Sequence, residues 1–277
     1  MKRVYSIISI LSFMFASCSG FLEEYSQDTA YVRGYEDLDE LLLGSVYMPT
    51  NAPEHMGYTY GTDGWYYPYI HLMTDEVQEN IRSSGNGASW DARERYFGYY
   101  TWQQQVGIDA LGTSIRKESS DWNKIYKHIN IANMILASID EQSTPKEEDE
   151  LEVMRIKGEA YFLRGAYYFI LVNLYGKPYT KTGAKNDLGV PIKNTEYIED
   201  KVYGRNTVEE VYAQVLADLG EAEKCLEKTV HKSIYRADIT ATYLLLSRVH
   251  LYMQNWEMAE SYAKKVLAKQ DDLRDLN

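Results

Sequence analysis

Apolar residues recur every three or four positions along most of the chain after residue 121, which is the period of a helix that buries one face. The first stripe predicts a helix from Trp122 to about Ile139, with Asn133 as a polar residue among apolar ones. Its apolar members are Trp122, Tyr126, Ile129, Leu136 and Ile139. We expect buried Asn133 to find backbone hydrogen-bond partners, which is a structural role.

A second, longer helix follows, and its start and end are both marked in the sequence. Thr144 is predicted as the N-cap, with Pro145 at the first helical position and Glu147 completing a capping box. Gly176, with Pro178 two residues beyond it, predicts the end. The buried stripe is Ile156, Ala160, Leu163, Tyr167, Ile170 and Leu174. The two helices are expected to pair as an antiparallel hairpin.

Three further helices are predicted beyond a polar connection at 177–206. Thr207 and Glu210 form the signature of another capping box, which opens a helix to about residue 228. Its stripe is Val208, Val211, Val215, Leu219, Ala222 and Leu226. The last two helices span about 238–253 and 256–269, and six of their positions resemble the 34-residue tetratricopeptide repeat. These six are Tyr243, Leu246, Ser247, Trp256, Ala259 and Ala263.

The fold class predicted from these patterns is all-α, a tetratricopeptide-like helical-hairpin scaffold over residues 119–277. It comprises two and a half repeats, fewer than the three or so that a stable solenoid needs, so we expect further structure after residue 277. The final helix should then present an uncovered apolar face. The face consists of Ala259, Tyr262, Ala263, Val266 and Leu267.

Residues 18–118 are predicted to be an N-terminal extension followed by long loops rich in aromatic residues. The chain holds 26 Tyr against 6 Phe and 5 Trp, so most of its aromatic rings carry a hydroxyl. Such rings can pack on one side and form hydrogen bonds on the other. The number of large rings between Tyr47 and Trp102 argues against disorder in this segment.

The start of the chain predicts export. Lys2 and Arg3 precede a short apolar run, which is typical of a signal peptide over residues 1–17. The run ends at Ala16-Ser17-Cys18, which resembles a bacterial lipobox and predicts lipidation of Cys18. The alternative is an ordinary signal peptide cut near Ser17, which leaves Cys18 as a free thiol.

Charge and motifs exclude several functions. With 29 basic and 41 acidic residues the net charge is −12, which argues against binding nucleic acid. The five histidines share no metal-ligand spacing, and no nucleotide-binding or nucleophile-elbow motif is present. We therefore predict no metal, no cofactor and no catalytic residue. A glycosidase using two carboxylates remains an alternative. The acidic residues between 147 and 152 are expected to stabilise the N-terminus of the second helix, because negative charge there complements the helix dipole.

Several segments resemble the SusD/RagB family of outer-membrane lipoproteins. They are Cys18 to Glu24, Trp122 to Tyr126 with Ile129, Ala132 to Leu136, Gly158 to Phe169, Leu174 to Pro178, and Leu244 to Ala259. The resemblance covers nearly all of this chain but only the N-terminal half of a typical family member. It implies a non-enzymatic cell-surface protein that binds glycans, or peptides in some branches. It also implies a partner, a SusC-type TonB-dependent transporter in the outer membrane.

Ring residues in the aromatic loops are the candidate ligand contacts, because an exposed ring stacks on a sugar face while neighbouring polar groups bind hydroxyls. The candidates are Trp65, Tyr66, Tyr67 and Trp90. Trp102 is instead expected to pack against the helical scaffold. The alternative function is an adaptor whose repeat face only contacts the transporter.

Overall fold

The computed structural model describes residues 32–47, 73, 97–98, 100–103, 111–112, 120–197 and 199–272. The chain forms two units, Met1–Arg33 and Gly34–Asn277, and all the elements below belong to the second. Six α-helices occur in the described ranges: α1 Tyr35–Leu41, α2 Ser120–Ser138, α3 Glu147–Tyr175, α4 Val208–Leu226, α5 Ile239–Tyr252 and α6 Trp256–Lys269. These ranges contain no β-strand, so the all-α prediction is confirmed.

Two short turns extend the helices. A π-helical turn, Leu42–Val46, continues α1, and a 3₁₀ turn, Ile139–Glu141, continues α2. The α1 segment was not identified from the sequence, although Leu38, Leu42 and Val46 are fully buried in the main core. None of the helices in the described part of the chain is long and apolar enough to cross a membrane.

Helix α3 lies at the centre of the fold, packed between α2 and α4. The predicted stripe is buried from Ile156 to Tyr167 and half-buried at Ile170 and Leu174. Burial extends well beyond one face, however, because Arg155, Glu159 and Arg164 are buried as well. A helix with neighbours on several sides has little solvent-facing surface, so its polar residues must find partners inside the protein.

The predicted helix caps are correct at α4 and wrong at α3. Thr207 Oγ1 accepts from the Glu210 N–H at 3.2 Å, and the Glu210 carboxylate accepts from the Thr207 N–H at 2.8 Å. Helix α3 starts at Glu147, later than predicted, with Lys146 as its N-cap. The Asp149 carboxylate accepts from the Lys146 N–H at 3.1 Å, so Asp149 takes the part assigned to Glu147.

The C-terminal helices α5 and α6 form a tight pair. Ser247 Oγ donates to the Ala259 carbonyl at 2.8 Å, which requires the two backbones to lie close together. Tyr262 and Val266 pack against the cluster formed by Ala222, Leu226, Ile239 and Tyr243. The expectation of an uncovered apolar face on the last helix is therefore wrong for most of its members. Of the five predicted residues only Leu267 is exposed.

Candidate functional site

The predicted ligand-contacting residues Trp65, Tyr66, Tyr67 and Trp90 lie outside the described residues, as does Cys18. Their roles stay predictions. Trp102 is described, and the expectation that it packs against the scaffold is wrong because its side chain is 68% exposed. Its backbone adopts a φ of 57°, a left-handed conformation that turns the chain away from regular helix. Trp102 thus belongs with the rings that face solvent.

Residues 45–47 directly precede the aromatic segment in sequence, and they are held firmly by hydrogen bonds. His128 Nδ1 donates to the Ser45 carbonyl at 2.6 Å, and the Tyr167 hydroxyl donates to the Val46 carbonyl. The Tyr47 hydroxyl donates to Glu159 Oε2 at 2.6 Å and accepts from the Ala237 N–H at 2.7 Å. Burial, reinforced by the Glu159 charge, raises the pKa of Tyr47, so the phenol stays protonated.

A group of four charged side chains, the ionic cluster, lies beside Tyr47 and comprises Asp39, Arg155, Glu159 and Arg236. Arg155 Nη1 contacts Glu159 Oε1 at 2.6 Å, and Arg236 Nε contacts Glu159 Oε2 at 2.9 Å. Both guanidinium groups also pair with Asp39 of α1. Burial alone would raise the pKa of Asp39, but hydrogen bonds and positive charge from Arg236 and Arg155 hold it below its usual value. At the half-buried edge of the cluster, Glu152 also pairs with Arg155 at 2.8 Å and with Lys232 at 2.5 Å. Each buried charge therefore has partners of opposite sign.

A second buried polar group joins three helices to the 177–206 connection. Arg164 donates to both carboxylate oxygens of Asp218 at 3.0 and 2.5 Å, and to Asn133 Oδ1 at 2.8 Å. Asn133 Nδ2 donates to the carbonyls of Lys193 and Thr195 at 2.9 and 3.1 Å. The prediction that Asn133 has backbone partners is confirmed. Burial works against the charged form of Arg164, yet the Asp218 contacts raise the pKa of Arg164 and keep it protonated.

An open groove of about 430 Å³, here called the Trp256 groove, lies between the start of the 177–206 connection and the α5–α6 turn. Seven described residues line it: Tyr179, Lys181, Met253, Gln254, Asn255, Trp256 and Glu257. Its volume falls within the range of small-molecule sites, about 300–1,000 Å³. The Trp256 side chain is 62% exposed, so its ring is available to a ligand.

A row of packed aromatic rings begins at Tyr179, which lines this groove. Tyr179 packs against Tyr212 with ring centroids 4.9 Å apart, and Tyr212 meets Phe169 edge to face at 5.9 Å. Phe169 in turn meets Tyr252 at 5.2 Å. Burial raises the pKa of Tyr212 to about 12, and its neutral hydroxyl donates to Asn173 Oδ1 at 3.2 Å. These contacts fix the position of Tyr179 before any ligand arrives.

The sequence pattern did not identify this groove. Trp256 is one of the six positions that resemble the tetratricopeptide repeat, and Tyr179 lies in the polar connection, so neither pattern indicates a groove. One signal was available, because Trp256 directly follows the short polar break Gln254-Asn255 between the two predicted helices. Among the described residues no group of three or more His, Cys, Asp or Glu side chains is arranged to hold a metal ion.

Comparison with protein families gives one match across much of this region. The model of a SusD-like family, described as "Starch-binding associating with outer membrane", matches residues 66–251. That range is more than half of the chain. It includes three of the four predicted ring residues, Tyr66, Tyr67 and Trp90, and starts one residue after Trp65.

Individual proteins are similar over parts of their length. The chain is 23% identical to starch-binding protein SusD of Bacteroides thetaiotaomicron, covering 96% of this chain and 45% of that protein. It is 28% identical to SusD-like protein P38 of Formosa agariphila, covering 58% of this chain and 29% of that protein. The chain therefore spans less than half of the length of these curated relatives.

Solved structures show the same helical fold. A putative sugar binding protein from Bacteroides vulgatus has a TM-score of 0.56 at 28% identity, covering 65% of this chain and 38% of that one. A SusD-like carbohydrate binding protein from the same species has a TM-score of 0.60 at 24% identity, covering 88% of this chain and 46% of that one. The second similarity concerns the fold alone.

Proposed function

Because the chain belongs to the SusD-like family of starch-binding proteins that associate with the outer membrane, we propose that it captures oligosaccharides or polysaccharides at the bacterial surface. The family match over residues 66–251 is the observation that carries this proposal. The chemistry of the chain supports it, since its aromatic segment supplies flat rings with polar rims and neighbouring amides. Binding proceeds without turnover of the glycan.

In this proposal the aromatic segment holds the glycan. Trp65, Tyr66, Tyr67 and Trp90 are its proposed contacts, and residues 45–47, which precede the segment in sequence, are firmly held. A segment attached to a rigid base loses less conformational freedom when a ligand binds. Such pre-organisation favours weak polar ligands such as sugars, whose hydroxyls are already well solvated.

Anchoring and transfer complete the proposal. Cys18, lipidated after removal of residues 1–17, tethers the protein to the outer membrane. A SusC-type TonB-dependent transporter receives the captured glycan. Intact-mass analysis of membrane-extracted protein tests the anchor, because an acylated Cys18 adds the mass of its lipid. An unmodified N-terminal cysteine would refute the anchor without touching glycan binding.

Calorimetry on the full chain tests the glycan ligand. We expect maltoheptaose or another glycan of a starch, laminarin, xylan and cellulose panel to bind, and Trp65→Ala combined with Tyr66→Ala to weaken that binding at least tenfold. A matched control removes two exposed rings elsewhere, Tyr197 and Tyr235, and should bind as the parent does. Binding of a peptide panel but no glycan would favour the peptide-binding branch, and release of reducing ends would indicate a glycosidase.

Co-purification tests the transporter. A tagged chain extracted from native outer membranes should bring down a TonB-dependent transporter, identified by mass spectrometry. Glycan binding without any such transporter would limit the protein to capture. A transporter without any glycan binding would favour the adaptor alternative.

A further inference from the structure

The Trp256 groove combines one exposed ring with hydrogen-bonding groups of both kinds. Gln254 and Asn255 bring amides, each able to donate and accept, while Lys181 donates and Glu257 accepts. Within the described part of the chain these four side chains form no hydrogen bond with one another or with the scaffold. One cation and one anion leave the lining without net charge, so it suits a neutral ligand rich in both donors and acceptors.

The turn at the edge of the groove adopts an unusual backbone conformation. The Asn255 N–H donates to the His250 carbonyl at 2.9 Å and the Gln254 N–H to the Leu251 carbonyl at 3.0 Å, which together form a Schellman motif at the end of α5. The residue in the left-handed position is Gln254, with a φ of 57°, where glycine is usual. Glycine would hold this turn with less strain. What glutamine adds over glycine is an amide side chain in the groove.

We propose that the Trp256 groove is a carbohydrate subsite that binds one or more neutral sugar rings of a glycan chain. The Trp256 ring stacks on the apolar face of a sugar, and the Gln254 and Asn255 amides bind its hydroxyls. The ligand class rests on the proposed function, whereas the position of the subsite rests on the groove itself. Because the groove is open to the surface, a long glycan can cross it and continue beyond.

Two structural facts favour a sugar over an ion or an apolar ligand at this place. The groove has no cluster of like charges that would select an ion, and its only large exposed ring is accompanied by four polar side chains. Tyr179 is already fixed by its contact with Tyr212, so one wall is rigid before binding. Rigid aromatic rings lose little conformational entropy when a ligand binds.

The five tryptophans of the chain provide a direct test. With ¹⁵N-labelled tryptophan, each indole N–H gives one NMR signal, and the substitutions Trp65→Phe, Trp90→Phe, Trp102→Phe, Trp122→Phe and Trp256→Phe assign them. We expect the Trp256 signal to shift and saturate on titration of the full chain with maltoheptaose, or with the glycan of the panel that binds. If the signals of Trp65 or Trp90 move while that of Trp256 stays, the proposed function stands and the groove inference is overturned.

The remaining outcomes are equally informative. A shift of Trp256 alone would support the groove and refute the predicted loop contacts. If no indole signal moves with any glycan of the panel, the proposed function fails and the groove inference fails with it.

Two substitutions sharpen the test further. Trp256→Ala should reduce glycan affinity at least tenfold at the groove. Gln254→Gly should raise the melting temperature, because it relieves the left-handed strain, and still weaken binding about three- to tenfold through the lost amide. Tyr235→Ala, which removes an 82% exposed ring away from the groove, is the control and should change neither quantity. Unchanged affinity in both Trp256→Ala and Gln254→Gly would overturn the proposal.

Discussion

Gly158 lies where α3 packs on α4, and its replacement by alanine tests how close the two helices are. A Cβ atom on Gly158 would lie 2.7 Å from Leu226 Cγ and 2.9 Å from Cys225 Cβ. Both atoms are near their own backbone, so α4 itself must shift. Overpacking of this kind costs about 1–3 kcal/mol, and contacts this short indicate the upper part of that range.

Helix propensity partly offsets that cost. Alanine is favoured over glycine in a helix interior by about 1 kcal/mol. We therefore expect Gly158→Ala to lower the free energy of unfolding by about 1–2 kcal/mol. Gly220 of α4 is the matched control, because a Cβ there would meet nothing within 4 Å. Gly220→Ala should raise the free energy of unfolding by about 0.5–1 kcal/mol.

Gly165, seven residues after Gly158 on α3, provides an intermediate case. Its added Cβ would lie 3.2 Å from Asp218 Cβ and 3.3 Å from Leu219 Cγ, so the neighbours must yield only slightly. The cost and the helix-propensity gain then nearly cancel. Urea unfolding followed by circular dichroism gives the midpoint for each variant, with an unchanged m-value as the check that only stability differs. The close packing of α3 and α4 is refuted if Gly158→Ala proves as stable as Gly220→Ala.

Three further substitutions follow from the buried polar groups. Glu159→Ala should lower the free energy of unfolding, measured with urea, by about 3–5 kcal/mol, because it leaves two buried guanidinium groups short of an anion. The exposed Glu260→Ala is the control. An equal loss of stability in both variants would contradict the role of Glu159. Asn133→Ala should lower the free energy of unfolding by about 1–3 kcal/mol, because Arg164 loses an acceptor and the Lys193 and Thr195 carbonyls each lose one of two donors. It should also speed proteolysis of the 193–195 segment, and unchanged cleavage there would refute the tether. His250 stacks on Tyr262, has no hydrogen-bond partner for Nδ1 in the described structure, and burial lowers the pKa of its imidazole. Its contribution to stability is therefore present above pH 6.5, where histidine ordinarily titrates, and is lost as the pH falls below that. In His250→Phe the free energy of unfolding should fall less between pH 7.5 and pH 5 than in the parent chain. An identical pH profile of the two would exclude His250 as the cause of the fall.

Local sequence signals predicted the elements whose determinants lie close together along the chain. The capping box of Thr207 and Glu210 spans three residues, and the structure has both of its hydrogen bonds. The α4 stripe is buried at all six predicted positions. At α3 two local signals competed. The Asp149 carboxylate accepts from the Lys146 N–H, so Lys146 is the N-cap instead of the predicted Thr144. A pattern alone does not rank two caps that are two residues apart.

Long-range contacts account for what the sequence did not reveal. Helix α1 has only seven residues, too few to be stable alone, and its position depends on Asp39 pairing with Arg155 and Arg236 far along the chain. The buried charges of α3 were missed for the same reason, since a stripe identifies apolar positions but not the partners that permit an arginine to be buried. The repeat-like spacing of Trp256 carried no information on its exposure, which follows from its place at the first turn of α6.

The two proposed carbohydrate surfaces depend on different parts of the scaffold. The ionic cluster and Tyr47 meet the N-terminal end of α5 at Ala237, whereas the Trp256 groove adjoins its C-terminal end at Met253. A helix of 14 residues is about 20 Å long, so the two places are separated by roughly that distance. Damage to the cluster releases the base of the aromatic segment, while the groove keeps its own support from Tyr179 and Tyr212. In Glu159→Ala, under conditions where the chain stays folded, the glycan-dependent shifts of the Trp65 and Trp90 signals should therefore shrink while that of Trp256 persists.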